Sequence, residues 1–334
     1  MLDLALACDL KTSDPGVHAT IRQRHQAIKS QRDAADYIRE VENKIHSRRK
    51  FTRPASKSAT ASSAAARPLA MIRTLSSAQS TAAILLLLVA MVVAGWFAPA
   101  GVNLVLVALS MVLLMVVLGL GTTSRPLGIL INERNVMSLS RFQMVVWTIM
   151  VLSGYLTFAL VRIKMMASGA ANGTPITDPL GIGIDWHLWA LLGISTTSLV
   201  GAPLLLSPKK NLEPVSSVTP KTAQMLNEPE QDVIANKQGT LYANSKLSDA
   251  RLTDMFEGDE LMNTARIDLA KVQMFYFTIV AAMCFFVMVI KTLTAGSSNL
   301  DNLPSLPEGF VAVLGISHAG YLTSKGVNHT QSQP

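Results

Sequence analysis

Apolar and polar positions alternate along this chain on two length scales. On the long scale, six apolar blocks at 81–97, 102–120, 142–161, 187–206, 272–290 and 310–324 are separated by polar connectors. A helix of about 20 residues rising ~1.5 Å each matches a ~30 Å hydrocarbon layer, so each block reads as a transmembrane helix. The last block is the shortest and contains His318. On the short scale, Val17, Ile21, Ile28, Ala35, Ile38, Val41 and Ile45 recur at helical spacing, with Arg22, Arg24, Lys29 and Arg32 on the other faces. That pattern predicts a basic, coiled-coil-like helix within residues 1–50. Residues 51–80 are dominated by Ala, Ser and Thr, a linker composition that lacks the large apolar groups needed to offset ordering entropy.

The fold class predicted is therefore all-α, a polytopic membrane protein with six spans. Ala98-Pro99-Ala100-Gly101 turns the first two spans into a hairpin over 81–120, with Asn103 and Ser110 among its few polar members. Beyond it, two stretches repeat. Arg141-Phe142-Gln143-Met144 and Trp147-Thr148-Ile149 return as Lys271-Val272-Gln273-Met274 and Phe277-Thr278-Ile279, 130 positions on. Leu192-Gly193-Ile194-Ser195 returns as Leu314-Gly315-Ile316-Ser317, 122 positions on. Residues 138–206 and 268–325 thus form two copies of a two-span unit, joined by the polar stretch 207–267 and followed by a tail, 326–334. Two-span units insert in the same direction, so the copies are parallel repeats.

Composition supports the membrane reading. Only 15% of the 334 residues are charged, against about 25% in a soluble domain. The mean hydropathy is +0.34. The net charge of +7 sits mainly before the first span. Nucleic acid could meet such an arm, but beside a bilayer basic residues orient the spans and attract anionic lipid, so no nucleic-acid partner is expected. The arm, the 121–141 connector and the 207–271 stretch hold most Lys and Arg, which predicts both termini on the cytoplasmic side. Arg162, Lys164 and Lys291 run against this rule and are expected to snorkel at the outer interface. Cys8 and Cys284 are the only cysteines and have no metal-ligand spacing. The start of the chain lacks the basic and apolar regions of a signal peptide.

Candidate chemistry is sparse. Gly193, Thr197 and Gly201, with Gly315, Ala319 and Thr323 in the second copy, place small residues every four positions, a helix-packing face. Gln143 and Gln273 enter the membrane within one turn of Arg141 and Lys271; amides there either bond a neighbouring helix or ring a pore mouth together with Ser195 and Ser317. His318 is the one titratable group inside a span, and its counterpart, Thr196, shows that the duplicated scaffold does not require it. No Asp, Glu, Lys or Arg falls mid-span, which argues against ion-coupled transport and voltage sensing. Asp249 to Glu260 reads as an acidic amphipathic helix, with Asp254, Phe256 and Glu257 as docking candidates for a basic partner or for the chain's own Arg48, Arg49 and Lys50. There is no phosphate loop, nucleophile elbow, zinc motif or calcium loop, so no catalytic residue, cofactor or metal is expected.

Asn135-Val136-Met137-Ser138-Leu139-Ser140-Arg141, Asp254-Met255-Phe256-Glu257-Gly258-Asp259-Glu260 and Leu314-Gly315-Ile316-Ser317-His318 resemble stretches of uncharacterised bacterial multi-pass membrane proteins. The resemblance covers span three to the end and implies bacterial origin and membrane residence; it brings no site residue. The expectation is a non-enzymatic inner-membrane anchor or assembly scaffold, homo-oligomeric or part of a larger complex, that recruits a cytoplasmic protein. The competing expectation is an oligomeric channel or passive pore.

Overall fold

The computed structural model describes residues 76–169, 178–296 and 300–333. The predicted basic helix, the linker up to residue 75, and Arg48, Arg49 and Lys50 lie outside the described residues. Helix α1, Ser77–Phe97, opens on a capping box between Ser76 and Gln79. Gly101 turns the chain at φ +83°, a conformation that favours glycine, into α2, Val102–Thr123. Along α1 only 11% of its most apolar stretch is buried, and Leu85, Leu86 and Val89 are exposed. In water such a surface would be a liability; in hydrocarbon it is the solvated face.

Helix α3, Leu139–Ser168, is 30 residues long, well beyond the predicted span. Helix α4, Trp186–Leu206, starts where the Asp185 carboxylate accepts from the His187 N–H. Helix α7, Leu269–Thr294, starts on Asp268, whose carboxylate accepts from the N–H groups of Ala270 and Lys271. Five helices, α1, α2, α3, α4 and α7, are long and apolar enough to cross a membrane. Helix α8, Glu308–Gly326, has 19 residues and does not meet that measure, because His318, two serines, Glu308 and Lys325 dilute it. In position it matches the others. Gly183, just before α4, bonds the backbone of Asp301 and Leu303, just before α8. The far ends of the same two helices meet where the Lys209 ammonium donates to the carbonyl of Lys325 at 2.7 Å. α8 therefore runs beside α4 for its full length.

Helices α3, α4, α8 and α7 form a closed ring in which each packs on two neighbours, and α2 packs on the outside of α3. The ring interior is filled by Trp147, Phe158, Leu188, Leu191, Phe285 and Leu314. Arg162 lies inside α3 at 6% exposure and so does not snorkel. It pairs with Asp301 at 2.5 Å and donates to the carbonyls of Leu300 and Asp178, tying the ends of the ring away from the 207–267 stretch. Lys164 donates to the carbonyl of Trp96.

The polar stretch between α4 and α7 is a folded cap. It carries α5, Val218–Leu226, α6, Glu230–Ala235, and a hairpin of β1, Lys237–Gln238, with β2, Leu241–Tyr242, so the protein is mainly helical with a small strand element. Val218, Ala223, Val233 and Leu261 form its core. The tail joins it through backbone bonds of Val215 to Gln331 and of Gln333 to Glu213. The acidic helix predicted over 249–260 is absent. Two 3-10 turns, Leu247–Asp249 and Leu252–Met255, stand there instead. The carbonyls of the first turn are taken up by Arg125, which donates to Leu247, Ser248 and Ala250. A side chain reaching across from another segment supplies what helical bonds would have, and the apolar face has too few residues to hold a longer helix.

Helices α3 and α7 are each preceded by the same local device. A 3-10 turn, Gly128–Leu130 or Leu252–Met255, leads into an isolated bridge, Ile131 with Met137 or Glu257 with Ile267. The Ser138 N–H then bonds the Leu130 carbonyl, as the Asp268 N–H bonds that of Phe256. Asn132 to Val136 and Gly258 to Arg266 repeat the inner bond. The second hairpin is four residues longer, and its extra length carries Asp259 and Glu260.

Candidate functional site

Two polar layers sit on the ring axis. The first lies inside the helices and takes one side chain from each. Gln143 of α3 donates from Nε2 to Thr278 Oγ1 of α7 at 2.6 Å and lies 3.2 Å from His318 Nε2 of α8. His318 Nδ1 is 2.6 Å from Ser198 Oγ of α4. Thr278 passes its own proton to the Met274 carbonyl at 2.8 Å. Donor and acceptor accounting is consistent if His318 accepts at Nε2 and donates from Nδ1. In hydrocarbon an unbonded polar group is costly, so such a knot fixes the rotation of all four helices. Ser140 and Tyr321 add a fifth contact, 2.8 Å between hydroxyls.

The predicted site residues divide on this geometry. Gln143, Ser195, Ser317 and His318 are buried, but Gln273 is exposed, so the two glutamines share no lumen. Within one chain the rotation of α7 brings Thr278 and not Gln273 to the axis. The small-residue face is displaced as well. Gly193, Thr197, Ala319 and Thr323 are exposed, and a Cβ on Gly193 would meet nothing within 4 Å. Of the glycines on this face, Gly201 lies against Leu322 and Gly315 against Ile194. α4 and α8 do pack together, through the adjacent face of Leu191, Ser198, Leu314 and Tyr321. Asp254, Phe256 and Glu257 are half-buried and already hold contacts within the chain, while Asp254 and Glu257 also line a groove of the cap. Asp254 accepts from the N–H groups of Met137 and Arg251, and Phe256 stacks edge-on against Phe275 at 5.1 Å. The Glu257 carbonyl accepts from the Lys271 ammonium. Burial pushes the carboxyls of Asp254 and Glu257 up.

The second layer joins the ring to its cap. Asp259, from the longer hairpin, faces three cations: Arg134 from the shorter hairpin at 2.5 Å, Lys325 of α8 at 2.5 Å and Lys271 of α7 at 3.1 Å. All three are at most 6% exposed. Burial alone would raise the Asp259 carboxyl; the charges of Lys271, Lys325 and Arg134 outweigh it and hold that carboxyl well below the usual range. Beside it Lys209 and Glu260 pair at 2.7 Å. Glu260 also accepts from the N–H groups of His329 and Thr330, and Lys209 also donates to the carbonyls of Lys325 and Val327. That pair is fully used in binding cap, tail and α8 together. Sequence reasoning saw Lys271 and the acidic segment but not Arg134, Lys209, Asp259, Glu260 or Lys325 as a group. The legible signal was positional: each lies at the end of a span or in a hairpin just before one.

Chemically, this arrangement can hold an anion and can lock helices. Among the described residues no three His, Cys, Asp or Glu side chains converge on a metal position. No protein-family model, curated protein or solved structure matches the chain.

Proposed function

We propose that this chain is a non-enzymatic membrane platform that recruits a cytoplasmic protein. Its two-span units are the two copies of a duplication, and six helices cross a bacterial inner membrane with both termini on the cytoplasmic side. The sixth crossing rests on α8 running beside α4 between the same two polar ends. The orientation rests on the basic residues around the cap, which favour the cytoplasmic side.

The observation that carries the platform reading is the buried pairing of cap to ring through Asp259 and Glu260. A cap held by buried ion pairs presents a preformed surface, and a preformed surface loses little entropy on binding. Its outer rim offers the exposed carboxylates of Asp232 and Asp249 beside a groove of about 620 Å³. Charge complementarity points to a basic segment of another protein as the ligand of that groove.

Affinity capture of the full chain from membranes in mild detergent tests this. Asp232→Lys with Asp249→Lys should abolish co-purification of the partner while leaving the protein in the membrane. Deletion of residues 1–60 should separate capture by the arm from capture by the groove. Undiminished capture by both variants sinks the reading.

A further inference from the structure

A cavity of about 460 Å³ opens between α2, α3 and α4 at the capped end of the ring. Its floor is the charge layer: Arg134, Lys271 and Lys325 around the single carboxylate of Asp259. Two charged groups stand at its mouth. Glu133 turns toward Lys210, 3.5 Å away, and Arg141 makes no ion pair among the described residues. Counting Glu133, the lining holds four cations and two carboxylates, so positive charge is in excess where burial makes excess charge expensive.

The donors are also underused. Lys325 gives one of its three N–H groups to Asp259 and sits 4.6 Å from the centre of the Tyr321 ring, with no second oxygen acceptor among the described residues. Lys271 bonds Asp259 and the Glu257 carbonyl.

The walls have a different character. Met115 of α2, Met144 and Val145 of α3, and Leu199 and Pro203 of α4 line the cavity above the floor. Thr148, also on the wall, lies nine residues into α3, and Leu199 lies seven residues before the end of α4. At ~1.5 Å per residue the apolar wall reaches roughly 10–13 Å along the spans.

From a buried cationic floor joined to an apolar wall of that depth, we infer that this cavity binds one anionic phospholipid. Its phosphate sits on Lys325, Lys271 and Arg141, and one acyl chain lies against Met115, Val145 and Leu199. Cation–phosphate hydrogen bonds are strong because both partners are charged. A free phosphate would use the floor alone and leave the wall unoccupied, so the wall favours the lipid. The site requires that the helices lie in a bilayer and does not depend on partner recruitment.

The test uses the full chain in mild detergent, titrated with phosphatidylglycerol or with phosphatidylcholine of the same acyl chains, and read by native mass spectrometry. One phosphatidylglycerol should be retained in preference to phosphatidylcholine, and excess inorganic phosphate should not displace it. Arg141→Gln should lower retention about fivefold, the ratio expected for one cation beside an anionic lipid. Leu199→Trp, which fills the wall without touching the charges, should lower it too, with helical circular dichroism unchanged. Equal retention of the two lipids, displacement by phosphate, or normal retention in both variants overturns the inference. Partner capture reads out separately, so either proposal can fail alone.

Discussion

Asp259 is the residue whose surroundings decide most. It is one carboxylate among three nearly buried cations, and its neighbour Glu260 holds a fourth. Breaking a buried pair by removing one partner costs about 3–5 kcal/mol, because the remaining charge is stranded. Asp259→Asn should therefore lower stability by roughly that amount, seen as a lower melting temperature in detergent. The pH dependence has a definite sign. The folded-state carboxyl is depressed, so its contribution is complete above the ordinary value of 3.8 and is lost as pH falls through the lower folded value. The gap between wild type and Asp259→Asn should persist down to pH 3.8 and shrink only below it. A gap that closes near neutral pH would show that the carboxylate is not held as the geometry has it. Asp254 and Glu257 behave oppositely, since burial raises them and disfavours their charged forms.

At the level of elements, two glycines separate close packing from open surface. A Cβ on Gly119, in α2, would lie 2.7 Å from the carbonyl oxygen of Arg125 and 2.9 Å from that of Pro126. Those are backbone atoms, so the turn after α2 would have to shift. Gly119→Ala should destabilise by about 1–3 kcal/mol, as overpacking does. Gly193→Ala meets open space, and in a helix interior the exchange should be neutral or stabilising by up to about 1 kcal/mol. Thermal unfolding of the two variants side by side checks both; a destabilised Gly193→Ala would restore the small-residue face as the contact between α4 and α8. The repeat of Gly-Ile-Ser was plain in the sequence, but which flank of that helix meets its neighbour was not. Small-residue spacing marks a face that permits approach. The hydrogen bond between Ser198 and His318 and the fit of Leu191 and Leu314 set the actual rotation.

For the whole molecule, the question is how many times the chain crosses. Five helices qualify on length and apolarity, and α8 falls short on apolarity alone. Three of its polar side chains bond inside the ring or at its capped end: His318 to Ser198 and Gln143, Tyr321 to Ser140, and Lys325 to Asp259 through one of its N–H groups. A helix with its polar side chains bonded to neighbours can cross without an apolar average. Reporter fusions at residues 230 and 333 should both read cytoplasmic, and one at residue 296 should read external. A fusion at 333 on the same side as 296 would leave α8 uncrossed.

The placement of the five long apolar helices was written in the chain, because apolar run length depends on neighbours within a few positions. So was the recurrence of the Gln-Met motif, once after Arg141 and once after Lys271. What the chain alone could not express was which copy turns its glutamine inward: Gln143 reaches the axis and Gln273 faces out, although both follow a basic residue by two positions. Nor could it show that Arg134, Lys209, Asp259, Lys271 and Lys325 gather at one level. Each belongs to a different segment, and charge pairing acts through space at a few ångströms, so only the closed ring with its cap in place could bring them together.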